Sequence, residues 1–273
     1  MDELSRHSIR FHRFPLAGVE PMSAATARSY PRHTHDQFGI GVIDSGGHAS
    51  WSGRGPVEAG PRHFICVNPG EVHDGHAIRR QPRAWRILYF DPSLMEETRA
   101  DVLDGAAPAF TFAEPVFADP SLLQFFEDAF SHATGGDVDE RMACETSILR
   151  LVAHLGRHST SRTPANQRPT PCIRRARERI DDDPTARMVL ADLARDAGLS
   201  RYQLIRGFAR ELGLTPHAYL LQRRITLARR LIRAGRTLAD VAVAAGFCDQ
   251  SHLTRCFVRH LGLTPRRYAA RSG

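Results

Sequence analysis

The chain has no lysine; all 37 of its basic side chains are arginine. Every fixed positive charge is therefore a guanidinium. Long apolar runs are missing too. None approaches the roughly 20 residues a membrane helix needs, and the N-terminal residues carry no apolar export core. The expected compartment is the cytoplasm, with no membrane partner. Cysteine is scarce. Its five residues form no framework spacing, which argues against a disulfide-stapled secreted scaffold. Three motifs are also absent: a Gly-rich phosphate loop, a Gly-x-Ser-x-Gly elbow and a Cys pair at zinc-ribbon spacing. No enzymatic activity and no cofactor are expected.

What is present fits a soluble protein with room for two domains: 273 residues, 42% hydrophobic and 25% charged. The net charge of +7 is unevenly spread. Residues 1–170 hold 17 Arg against 21 Asp and Glu, whereas residues 171–273 hold 20 Arg against 9 acids. A compositional bias is enough to explain arginine in place of lysine, but not its concentration in one half. A basic domain joined to a mildly acidic one points to a polyanion partner, nucleic acid ahead of a membrane surface.

A polar stretch with three prolines, STSRTPANQRPTP (159–171), reads as a linker. Before it, the short runs QFGIGVI, HASWSG, HFICV and WRILYF between residues 37 and 90 alternate with Gly- and Pro-containing turns. They predict strands of a small sheet or barrel. Asp119-Pro120 predicts the cap and first position of a helix burying Leu122, Leu123, Phe126 and Phe130. A further helix over roughly 139–157 places Ile148, Leu149, Val152 and Leu155 on one stripe.

After the linker the text is helical and it repeats. LADLARDAGLSRYQLIRGFARELGLTPHAY (190–219) aligns with LADVAVAAGFCDQSHLTRCFVRHLGLTPRRY (238–268), with sixteen identities and one extra residue in the second copy. This defines a duplicated unit. In each, a short helix ends at Gly198 or Gly246, and a second helix is capped by Ser200 or Asp249. The second helices bury Leu204, Phe208 and Leu212 in one copy and Leu253, Phe257 and Leu261 in the other. Helix, tight turn, helix is the helix-turn-helix arrangement, predicted over 190–212 and 238–261. Residues 216–234 between the copies predict one long helix burying Leu221, Ile225, Ala228 and Leu231 or Ile232.

The motif GFCDQSHLTRCF (246–257), the following GLTPRRY and the duplication resemble the C-terminal DNA-binding domain of the AraC family of bacterial transcription regulators. HTHDQFGIGVIDSG (33–46) and NPGEVHDG (68–75) resemble that family's cupin-like effector domain. The resemblance implies two domains. A mostly-β cupin-like barrel with flanking helices, residues 1–160, would bind effector and dimerise. An all-α domain, residues 172–273, would carry two helix-turn-helix units joined by a long helix. It further implies a homodimer that binds promoter DNA sequence-specifically as an effector-responsive activator, the effector being a small molecule, with RNA polymerase as a partner if it activates.

The outward faces of the second helices supply the candidate DNA contacts. They are Arg201, Tyr202, Gln203 and Arg206 in the first unit, and Gln250, Ser251, His252, Arg255 and Arg259 in the second. Arg suits guanine and Gln suits adenine in the major groove, though a single exposed Arg serves phosphate equally well. Arg174, Arg175, Arg223, Arg224, Arg266 and Arg267 read as backbone contacts. The ladder Cys248, His252, Cys256, His260 looks like a metal set. It spans about 18 Å of helix, too far for four side chains to surround one ion.

In the N-terminal half His33, His35, His73 and His76 read as groups that hydrogen-bond an effector or one another at the barrel mouth. Phe38 and Trp51, with Trp85, are candidate walls. Three histidines are enough to ligate a metal, but the Glu of the cupin His-x-His set is missing, and no metal is expected. The rival reading is a metal-dependent cupin enzyme fused to a DNA-binding domain.

Overall fold

The computed structural model describes residues 7–12, 16–52, 55–103, 109–134, 141–159 and 169–272. Most of the expected linker, 160–168, and the expected helix start at 139–140 lie outside them. The chain divides into two units: residues 1–30 and 34–163 form the first, and 164–273 the second, with Pro31–His33 grouped with the second.

The short apolar runs are strands, paired into two sheets. One has six strands in the order β1 (Ser8–Phe11), β2 (Val19–Thr26), β9 (Arg83–Phe90), β4 (Phe38–Ser45), β7 (Phe64–Val67) and β10 (Val116–Phe117). The other has four: β3 (Tyr30–His33), β8 (His73–Ala77), β5 (His48–Ser52) and β6 (Gly55–Ala59). The antiparallel register of β9 against β2 and β4 sorts side chains to two faces. Phe38, Ile40, Val42, Phe64, Cys66, Leu88 and Phe90 share one core with the helices α2 (Pro120–Thr134) and α3 (Arg141–Leu155). A third helix, α1 (Pro92–Val102), adds Met95 to it. The opposite face carries Arg83, Trp85, Ile87 and Tyr89 toward the four-stranded sheet.

Asp119 caps α2 through Oδ1, which accepts from the amides of Ser121 (2.8 Å) and Leu122 (3.0 Å). Leu122, Leu123, Phe126 and Phe130 are all buried, as the spacing predicts. In α3 the stripe is Cys144, Ser147, Ile148, Leu151, Val152 and Leu155. Leu149, expected inside, is 38% exposed, because the buried face rotates through Leu151 instead.

The second unit is helical among its described residues: α4 (Pro171–Asp182), α5 (Leu190–Asp196), α6 (Arg201–Leu212), α7 (Pro216–Arg233), α8 (Leu238–Ala244), α9 (Gln250–Leu261) and α10 (Pro265–Ser272). Ile173, Ala176, Ile180, Leu193, Leu204 and Phe208 pack α4, α5 and α6 together. Val241, Phe247, Leu253, Phe257 and Tyr268 are buried around α8, α9 and α10. The long helix α7 starts at the Thr215 cap and turns Leu220, Ile225, Ala228 and Ile232 inward. Leu220, not the expected Leu221, takes the first core position, one residue earlier on the stripe.

Candidate functional site

Helices α5 and α6 form one helix-turn-helix and α8 and α9 the other. Each turn is closed by the same bond, from the amide of Leu199 to the carbonyl of Ala194 (2.9 Å) and from Phe247 to Ala242 (2.8 Å). Gly198 and Gly246 supply the left-handed backbone at φ 69 and 77. At Gly246 space is short as well, since a Cβ would stand 3.0 Å from Thr185 Cα and from Arg224 Nε.

The caps set how each second helix begins. Ser200 Oγ accepts from the Gln203 amide (3.2 Å), and Gln203 Oε1 accepts from the Ser200 amide (2.9 Å). This capping box turns Gln203 back along its own helix, where the sequence reading had it facing a base. The Ser-x-x-Gln spacing is the signal for it. In α9, Asp249 Oδ1 accepts from the His252 amide (2.6 Å). The His252 ring folds back likewise: Nδ1 lies 3.5 Å from the Cys248 amide, and the ring meets Phe247 edge-on at 5.3 Å. His252 closes the turn instead of standing beside Arg255.

Arg201, Tyr202 and Arg206 on α6, and Gln250, Ser251, Arg255 and Arg259 on α9, are exposed. Tyr202 is 66% exposed, and the Arg206 guanidinium lies 5.5 Å from its ring centre. Arg174, Arg175, Arg266 and Arg267 are also exposed. Two arginines expected on the DNA backbone serve the fold. Arg223 pairs with Asp181 at 2.9 Å, and Arg224 donates to the carbonyls of Pro184 (2.7 Å) and Ala186 (3.2 Å). Tyr219 adds a hydrogen bond to Asp181 (2.8 Å), which joins α4 to α7, and Asp183 accepts from Thr185 just past the end of α4. Of the cysteine and histidine ladder, His260 Nδ1 donates to the Cys256 carbonyl (2.8 Å) within the helix.

The histidines near the four-stranded sheet divide into a trio and an outlier. His33, His35 and His73 come together, each offering a ring nitrogen within 4.8 Å of the others. His33 Nδ1 donates to the Pro31 carbonyl (2.8 Å) and His73 Nδ1 to that of Glu71 (3.1 Å), which aims their Nε2 atoms elsewhere. The His35 ring lies 5.1 Å from His73 and 4.9 Å from Tyr89. Such a trio has the donors to hold a divalent ion or to hydrogen-bond a ligand. His76 is exposed and sits 3.5 Å from Asp74, because β8 turns His73 and Gly75 inward and Asp74 and His76 outward. Trp51 shares that outer face, its amide donating to Asp74 (2.7 Å). Phe38 lies on the helix side of the six-stranded sheet, against Phe110 (5.3 Å) and Phe112 (6.1 Å). These three expected effector residues are not with the histidine trio.

Between the sheets stands a group the sequence reading passed over. Arg83 is fully buried. Its Nε donates to His48 Nδ1 (2.9 Å) and its Nη1 to the Arg28 carbonyl (3.1 Å). Its Nη2 is buried with no hydrogen-bond partner among the described residues. Gly75, opposite, contributes no side chain; a Cβ there would lie 3.5 Å from that nitrogen. The guanidinium stands 4.9 Å from the Trp85 ring centre, and Tyr30 meets Trp85 edge-on at 6.3 Å. Burial, followed by Arg83, pushes His48 down to about 3; burial, against the Glu71 carbonyl bond, brings His73 to about 4. Both imidazoles are thus neutral at pH 7. Burial lowers Arg83 only to about 10, so it stays charged.

A family model described as AraC-like ligand binding domain matches residues 17–152, and one described as helix-turn-helix domain matches 193–271. An uncharacterized HTH-type transcriptional regulator, YbfI of Bacillus subtilis (strain 168), is 27% identical over 228 residues, 83% of this chain and 82% of its own. The transcriptional activator NphR of Rhodococcus sp is 41% identical over 73 residues, 26% of this chain and 22% of that one. Among solved structures, unsaturated-fatty-acid-bound wild-type ToxT of Vibrio cholerae strain SCE256 matches with a TM-score of 0.59. That match covers 94% of this chain and 96% of the other at 11% identity, a likeness of fold alone.

Proposed function

The chain belongs to the AraC family of transcription regulators, and from that premise we propose how its two halves work. The exposed faces of α6 and α9 read promoter DNA through Arg201, Arg206, Gln250 and Arg255, with Tyr202, Ser251 and Arg259 beside them. Arg266 and Arg267 hold phosphates. Gln203 and His252 set the two helix starts and act on DNA only through that. The observation that carries this reading is the duplication itself. Two capped helices, each behind the same glycine turn, expose arginines at equivalent repeat positions, 206 and 255.

Residues 1–160 form the effector-binding and dimerisation domain, and residues 172–273 the DNA-binding domain. The effector occupies the layer between the two sheets and presents an acidic group to Arg83. A buried guanidinium hydrogen-bonded only to neutral acceptors is costly, and an anionic ligand offsets that cost. The fold neighbour ToxT is described with a bound unsaturated fatty acid, which is itself such an acid. His33, His35 and His73 serve the far end of the same layer, next to Tyr89. The protein works as a cytoplasmic homodimer without enzymatic activity, and recruits RNA polymerase if it activates. Effector acts by favouring one of two DNA-binding states.

Full-length protein should select one duplex sequence from a random library. Its affinity for that duplex should fall steeply with salt as arginines displace counterions. Equal affinity for selected and scrambled duplexes across salt concentrations would refute the reading of the two faces.

A further inference from the structure

Asp119, His154 and His158 lie apart from both sites. Asp119 stands at the start of α2, its Oδ1 fixed by the amides of Ser121 and Leu122. Its Oδ2 is 3.1 Å from His154 Nε2 and 2.8 Å from His158 Nε2. His154 is in the last turn of α3, and His158 is in the 3-10 turn Gly156–His158 that continues it. Four residues apart, the two rings emerge on one side of that rod. The three ligand atoms all lie within 4.8 Å of one another.

We propose that this trio is a zinc site, with one carboxylate and two imidazoles as ligands and water in the fourth position. Tetrahedral zinc with bonds of about 2.0–2.1 Å separates its ligand atoms by roughly 3.3 Å. The two separations to Asp119 Oδ2, 3.1 and 2.8 Å, are already close to that edge, and the two imidazole nitrogens lie within 4.8 Å of each other. The donors are pre-aimed. His158 stacks on Phe117, with centroids 4.0 Å apart and planes 6° from parallel, and His154 lies 5.1 Å from the Phe125 ring. Helix-start amides orient the carboxylate, as outer partners do in metal sites.

Access is graded. The His154 imidazole is 8% exposed and the Asp119 side chain 17%, whereas His158 is 24% exposed and leaves a way in for metal and water.

Zinc would tie the start of α2 to the end of α3. The site also abuts the chain's exit from the first unit. The His158 carbonyl accepts from the Ala113 amide (3.0 Å), and Ser159 bridges Phe112. Occupancy would thus set how firmly the segment leading to residue 160 is anchored. None of this depends on the DNA or effector assignments.

Chelator-stripped full-length protein, titrated with Co2+, should take up an equivalent with the visible bands of a tetrahedral nitrogen and oxygen site, and Zn2+ should displace it. His154→Gln and His158→Gln keep an amide donor for Asp119 and so preserve the fold, which circular dichroism checks. Each should weaken Co2+ affinity by at least about 10–100-fold. His73→Gln should leave these bands intact. No uptake at micromolar Co2+, or uptake that His73→Gln abolishes and His158→Gln does not, overturns the proposal. In that case the trio is a hydrogen-bonded clasp alone.

Discussion

Arg83 opens a strand, RAWRILYF, of which the run WRILYF predicts a strand in the sequence. Alternation groups Arg83 with Trp85, Ile87 and Tyr89 but does not say whether that face meets water or a second sheet. An arginine at a strand start reads as an edge group, and only the opposing His48 and Gly75 bury it. His33, His35 and His73 were legible because the His-x-His pair and a nearby turn are local. Phe38 was legible as apolar, but its face was not. If Arg83 anchors an acidic effector, fatty and aromatic carboxylates should raise the Tm of full-length protein where their methyl esters do not. Arg83→Gln should lose that response. A largest shift from uncharged sugars, unchanged in Arg83→Gln, would sink the acid assignment.

The same layer sets a pH dependence. His48 and His73 sit near 3 and 4 in the folded protein, chiefly through burial, against about 6.5 in an unfolded chain. Below about 6.5 the unfolded state takes up protons that the folded state refuses. Stability is therefore lost on acidification, with a slope approaching about 1.4 kcal/mol per pH unit for each histidine until its folded pKa is reached. Urea midpoints at pH 7, 6 and 5 should decline. His48→Gln, which keeps an acceptor for Arg83, should flatten the decline. An identical slope in that variant would show that His48 is not held neutral.

At the scale of elements, the helical half was read almost whole. Gly198, Gly246, Ser200, Asp249 and Thr215 act locally, and each fixes its turn or cap without help from distant chain. What escaped was the second function of cap positions, since Gln203 and His252 satisfy the helix start before any partner arrives. In the first half, β2 was missed because VEPMSAAT carries Pro21 and small residues of low strand propensity. Its eight-residue register with β9 makes it a strand. The helix α1 was missed although Asp91-Pro92 repeats the Asp119-Pro120 signature. Arg255 lies within a reading helix and Arg266 just past one, and their losses should differ in kind. Arg255→Ala should relax base preference at one position by about 1–3 kcal/mol, while Arg266→Ala should weaken all duplexes alike. Equal, sequence-independent losses would demote Arg255 to a phosphate contact.

For the molecule as a whole, the division of charge matches a division of labour. The arginine surplus lies beyond residue 170, where the helix-turn-helix model matches at 193–271, and the acids outnumber the arginines before it. No helix among the described residues is long and apolar enough to cross a membrane. Between the two reading units stands α7, eighteen residues long, capped by Thr215 and buried along one side. Eighteen residues of helix are about 27 Å, somewhat less than the 34–36 Å pitch of the duplex. Such a strut makes the protein a ruler. On the proposed reading, the two helix-turn-helix units would engage DNA in one helical phase, and the operator would have to present both sub-sites on the same side of the double helix. Inserting about half a duplex turn between them would carry one sub-site round to the far side, out of reach of α9 while α6 is seated. Specificity then resides in distance as much as in base identity.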